Sequence, residues 1–149
     1  MTEPEVAGFL AAGRTLVLVT TGPDGVPDPV PMWFVVVGGE VRMRTYGASQ
    51  KVVNLRRDPR FAALVEDGER YAELRGVQLT GRVELVEDPD WIAEVWAGLM
   101  VKHEGVPPER EPETRAALRE RAGKQVGLRL VADRVVSWDH RKLEGGGRP

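Results

Sequence analysis

Residues 42–60 read RMRTYGASQKVVNLRRDPR, and this stretch organises the chain. Residues 40–46, EVRMRTY, alternate in the manner of a half-buried strand. Gly47-Ala48-Ser49 breaks it, residues 50–57 have helical character with Val52, Val53 and Leu55 available for burial, and Asp58-Pro59 stops the helix. FAALVE at 61–66 is again strand-like. The segment holds six basic residues (Arg42, Arg44, Lys51, Arg56, Arg57, Arg60) and one acid, Asp58, whereas the whole chain carries 21 basic and 23 acidic residues. Positive charge is thus concentrated in a mildly acidic protein. A helix start presents unpaired N–H groups and the positive end of the dipole. With Thr45, Ser49 and Lys51 around the N–H groups near Gln50, the segment offers a phosphate cradle. The same spacing also describes a helix cap with a solvated basic face, and spacing alone does not separate the two.

Upstream, Thr2-Glu3-Pro4-Glu5 has capping-box spacing and starts a short helix that turns Val6, Phe9 and Leu10 inward and ends near Gly13. RTLVLVTT (14–21) is a strand, and Gly22-Pro23-Asp24-Gly25 turns into a second. That second strand carries Pro27, Pro29 and Pro31 before MWFVVV, so its first half belongs at a sheet edge. Gly38-Gly39 makes a tight hairpin. Downstream, Asp67-Gly68 turns into a long strand over 71–87, with a bulge expected at Gly76 or Gly81. Asp88 caps a helix carrying Trp91, Ile92, Val95, Trp96 and Leu99. A charged loop near 103–112, in which His103 is read as exposed, precedes a polar helix, PETRAALRERAG. KQVGLRLVADRVVSWDH closes the chain as a strand or strand pair, and residues 144–149 read as a flexible tail.

The 149 residues suffice for one domain, over 1–143, with a real core. No apolar run approaches the ~18 residues of a membrane span, and the N-terminus lacks the pattern of a secretory signal. The absence of cysteine removes disulfides and thiolate metal sites and makes a cytoplasmic location the expectation. Two distant histidines argue against a metal centre, and a net charge of −2 argues against nucleic-acid binding. Short connections and repeated hairpins give a mainly β fold, a small antiparallel barrel with added helices. Strands that do not alternate with helices disfavour a doubly wound sheet.

The run T-x-x-x-S-x-K-x-x-N-L-x-x-D-P-R between two strands, with PVPMWFVVVGGEV before it and YAELRGVQLTGRVEL after it, resembles the pyridoxamine 5′-phosphate oxidase-like split β-barrel superfamily. It is most similar to the flavin/deazaflavin oxidoreductase branch. The resemblance covers roughly residues 10–87, with SWDHRKL (137–143) similar to the end of some members. It implies an antiparallel split β-barrel of the FMN-binding type and a homodimer with a cofactor groove at its interface. It implies a phosphate site at Thr45, Ser49, Gln50 and Lys51, and a strand along a tricyclic ring at Pro31, Met32 and Trp33. It places Asn54, Arg56 and Arg57 near the phosphate or an extended tail. The chain departs from the oxidase pattern in having Gln50-Lys51 in place of Arg-Lys, and Arg75-Gly76 where a glutamine is common. Pyridoxamine phosphate oxidation itself is therefore not the expectation.

The expected activity is hydride transfer between coenzyme F420, or alternatively FMN, and a small organic substrate, with no catalytic side chain assigned. The extra arginines favour F420, whose tail adds negative charge. Two rivals stand beside it: a non-catalytic module holding a cofactor, haem or lipid, and a structural dimer with a solvated basic segment. Trp33 reads as core or as a ring-stacking residue, Trp91 and Trp96 as packing residues or a dimer contact, and Trp138–Lys142 as a strand end running into solvent or a segment closing over a partner's groove.

Overall fold

A computed structural model describes residues 1–145. The first helix, α1 (Glu3–Ala12), has the expected capping box: Thr2 accepts from the Glu5 amide and Glu5 reaches back to the Thr2 amide. Strands β1 (Thr15–Thr21), β2 (Pro27–Trp33), β3 (Val35–Val37) and β4 (Glu40–Tyr46) follow, then α2 (Gln50–Arg57), β5 (Arg60–Asp67) and β6 (Arg75–Val86). Helices α3 (Pro89–His103) and α4 (Glu111–Arg119) precede the closing strand, β7 (Gln125–Asp139). A 3₁₀ turn over His140–Gly145 takes up the first two residues of the expected tail; residues 146–149 lie outside the described residues.

All strand pairs are antiparallel, in the order β2-β1-β5-β6-β7-β4-β3. The order explains the barrel. Only Phe34 separates β2 from β3, yet these strands occupy opposite ends of the sheet. The sheet must therefore curl until its two edges meet at Phe34, which is fully buried. The seam is closed by the chain rather than by ladder bonds, and this is the split of a split barrel. The single strand expected through MWFVVV is thus corrected to two. The prolines sit on β2, which pairs with β1 alone, so their missing N–H groups cost no ladder bond.

Leu16, Leu18, Met43, Val77 and Leu128 fill the barrel from alternate strand positions and are completely buried. The N-terminal helix α1 lies at one rim, adding Leu10 with Val6 and Phe9 beside it; α2 closes the other rim with Val52 and Leu55. Val53, expected to be available for burial, is 48% exposed because it lies on the opposite side of the helix. Outside the barrel, Trp91, Ile92, Val95 and Leu99 of α3 pack on Val35, and Ala93 and Ala97 pack on Leu118 of α4. Gly127 is required here, since a Cβ at that position would overlap the Trp91 ring.

One further reading changes and two become definite. Residues 71–73 form a 3₁₀ turn, so the long strand starts at Arg75. The irregularity falls at Gly81 as one of the two expected places, but the extra residue, Asp133, is on β7: Thr80 pairs with Arg134 and Gly81 with Ala132. The closing segment is one continuous strand of 15 residues. Helix α3 covers one side of the sheet only. Across the other side one row of outward positions runs Pro31, Val17, Leu64, Gln78, Val136, in register over five strands. Val17 and Val136 are 37% and 38% exposed and Pro31 is exposed, leaving a mostly apolar sheet face uncovered by the described residues.

Candidate functional site

The turn Gly47–Ser49 delivers α2 so that its first residues face the end of β4. Lys51 Nζ donates to Thr45 Oγ1 at 3.3 Å, and Thr45 Oγ1 lies 3.5 Å from Ser49 Oγ. Ser49 occupies the N-cap position, but its hydroxyl makes no capping bond. Among the described residues Lys51 has no carboxylate partner, and the Gln50 and Lys51 amides have no acceptor. Three side-chain donors and two amides therefore converge with no anion supplied by the described residues.

The remaining sequence-assigned residues fall into different roles. Asn54 is completely buried and uses its whole amide: Nδ2 donates to Thr20 Oγ1 and Asp28 Oδ2, each at 3.0 Å, while Oδ1 accepts from Gln50 Nε2 at 2.8 Å and from Arg57. It supports the site by tying α2 to β1 and β2. The Gln50 side chain is thereby held, leaving its N–H as the group that faces outward. Arg57 donates to the Thr21 carbonyl and remains exposed. Arg56 pairs with Glu87, Arg42 with Glu40 and Glu94, and Arg60 with Asp58. Half of the six cations are thus neutralised locally. Arg44 turns to the other side of the sheet, where its guanidinium covers the Trp96 ring at 3.8 Å and donates to Gln125.

On β2, Pro31 and Trp33 point outward and Met32 points into the barrel, where it packs against the core. Trp33 is 47% exposed. One of its faces is covered by His103, with ring centroids 4.3 Å apart and planes within 3°. His103 is thus half-buried at the end of α3, not exposed in a loop. Burial first, then the nearby Arg14 and Lys102 charges, hold its pKa below the ordinary value of 6.5. No local signal announces this pair, because its members lie 70 positions apart in the chain. At the far end of the chain, Trp138 is half-buried over Gly76, Asp139 pairs with Arg141, and His140 packs against Tyr71.

A sequence model of the Pyridoxamine 5'-phosphate oxidase family matches residues 2–139. The chain belongs to that family. Its structure is similar to that of a conserved hypothetical protein from Mycobacterium tuberculosis, at 42% identity and TM-score 0.87, over 100% of this chain and 91% of that one. An F420 reductase shares the fold at 24% identity and TM-score 0.65, over 87% of this family member and 94% of the reductase. A FAD-binding protein from Mesorhizobium loti shares it at 18% identity and TM-score 0.67, over 92% of each chain. Among curated proteins, none matches the chain in sequence.

Proposed function

We propose that the protein is an oxidoreductase that binds coenzyme F420, or alternatively FMN, and exchanges hydride with a small organic substrate. The observation that carries this reading is the convergence of Thr45, Ser49 and Lys51 beside free α2 amides, with no carboxylate among the described residues to neutralise the lysine. That donor set suits a phosphate. Trp33 lies five residues along β2 from Asp28, the residue that anchors α2, a span of about 16 Å at ~3.3 Å per residue. A phosphate held by α2 and a planar ring laid along Pro31 and Trp33 would thus be joined through β2, which Asn54 ties to the helix.

The bound cofactor would supply the hydride chemistry. The chain's task is to fix the phosphate with Thr45, Ser49, Lys51 and the Gln50 amide, to lay the ring on β2, and to shape a pocket above it. Arg57, exposed beside the same rim, would meet an anionic tail. Since Arg42, Arg56 and Arg60 are already paired, charge alone favours F420 less than the composition implies; an F420 reductase built on this fold keeps F420 first.

Two copies would pair through the face carrying Val17, Leu64 and Val136, which places each β2 at the edge of the interface and forms a groove from both chains. Paired titrations with F420 and FMN test the reading. Lys51→Ala is expected to weaken binding at least several-fold with unchanged folding, and unchanged affinity would move the phosphate site elsewhere.

A further inference from the structure

Trp33 and His103 are joined by more than their stack. Lys102, next to His103, donates from Nζ to the Phe34 carbonyl at 3.1 Å and sets its ammonium 4.5 Å from the Phe34 ring. Arg14 donates to the Lys102 carbonyl at 3.0 Å, satisfying one of the free carbonyls at the end of α3. Thr15, the next residue after Arg14, lies directly opposite Trp33 in the β1–β2 ladder. Three contacts thus fasten the end of α3 to the point where β2 passes into β3, and His103 projects from that mount flat against the indole. Its Nε2 is buried and makes no hydrogen bond among the described residues. A hydrogen-bonding task inside the protein therefore does not explain this histidine, whereas its ring plane has a clear one.

We propose that His103 is a positioning residue that holds the Trp33 indole as a flat platform for the planar ring of the cofactor, an inference that rests on the functional reading above. An unsupported, half-exposed tryptophan on an edge strand would sample several rotamers, and each would have to be frozen when a ring binds. With one face already covered, the indole is set in advance and its exposed part remains free for the ligand. The chemistry required of residue 103 is then a flat ring, not a titrating one.

The test compares full-length His103→Ala, His103→Phe and Trp33→Phe with the parent protein. Acrylamide quenching of Trp33, taken as the difference between forms with and without that tryptophan, needs no cofactor. His103→Ala should make Trp33 markedly more accessible to the quencher, and His103→Phe should restore the parent value. In titrations, His103→Ala should weaken F420 or FMN about two- to tenfold, the scale of one lost aromatic pair, while His103→Phe stays within about twofold. A merely structural histidine would lower the melting temperature without moving Trp33 quenching. Unchanged Trp33 quenching in His103→Ala would overturn the proposal, as would a His103→Phe variant as impaired as His103→Ala. If neither cofactor binds the parent protein, the functional reading fails and the platform role with it, whereas quenching still decides separately whether His103 holds Trp33.

Discussion

Asn54→Ala should destabilise the protein by about 2.5–4 kcal/mol without touching the ligand surface. Asn54 is completely buried, and its amide makes four hydrogen bonds. Gln50 and Arg57 are exposed and would turn to water when Oδ1 is lost, so they contribute little. The other two bonds differ. Thr20 is 2% exposed and loses a neutral partner, a cost of about 1 kcal/mol; Asp28 loses a charge-assisted one, about 1.5–3 kcal/mol. For a chain of this size, each kcal/mol lowers the melting temperature by roughly 2–4 °C, so a fall of about 5–16 °C is expected in thermal unfolding followed by circular dichroism. Asn54→Asp sharpens the test. It keeps the shape but sets a second carboxylate against Asp28, so it should be at least as harmful at neutral pH and partly recover as pH falls toward the carboxylate range. A loss under about 1 kcal/mol for Asn54→Ala, or an Asn54→Asp protein as stable as the parent at pH 7, would refute the assignment of Asn54 as the tie between α2 and the β1–β2 hairpin.

Gly127→Ala should cost about 1–3 kcal/mol or more, because its methyl would overlap the Trp91 ring; an unchanged denaturation midpoint would show that the helix layer yields freely. Val17→Glu, on the uncovered sheet face, should leave the monomer folded and convert a sedimenting dimer to monomer. A parent protein that sediments as a monomer at micromolar concentration would contradict the proposed pairing. The His103 pKa is lowered in the fold, mainly by burial, while the unfolded chain takes up its proton near pH 6.5, so the unfolded state binds more protons between these values. Stability should accordingly decline as pH falls from 6.5 toward the lower folded value and be insensitive to this group above that range. Arg14 and Lys102 add to the effect and Glu104 opposes it. The slope should be absent in His103→Phe, and an identical pH profile for the two proteins would dismiss it.

Local patterns carried much of the fold. The capping box at Thr2–Glu5, the Gly38-Gly39 hairpin and the strand–turn–helix over residues 40–57 are set by neighbours in sequence, and each forms where expected. The prolines correctly marked β2 as an edge, but they do not reveal that the other edge begins two residues after Trp33. That follows only from closing the barrel, with Phe34 as its hinge. The Gly81 irregularity shows a similar limit: the glycine is visible in the sequence, but the extra residue, Asp133, lies 52 positions later on β7.

The candidate site divides in the same manner. Thr45, Ser49 and Lys51 lie within seven residues and meet as their spacing suggests. The basic run around them was less informative than its charge implied, since glutamates and an aspartate from several elements neutralise Arg42, Arg56 and Arg60. Asn54 shared the motif's spacing, yet its burial against Thr20 and Asp28 depends on how the β1–β2 hairpin crosses the rim. His103 carried no motif at all. Only the packing of α3 brings it to Trp33.

The most direct measurement is a side-by-side titration of the parent protein and Lys51→Ala with F420 and with FMN, followed by tryptophan quenching. Micromolar binding of at least one cofactor, F420 first, is expected, with a several-fold loss on removing the lysine. Binding of neither cofactor by the parent protein would contradict the oxidoreductase reading.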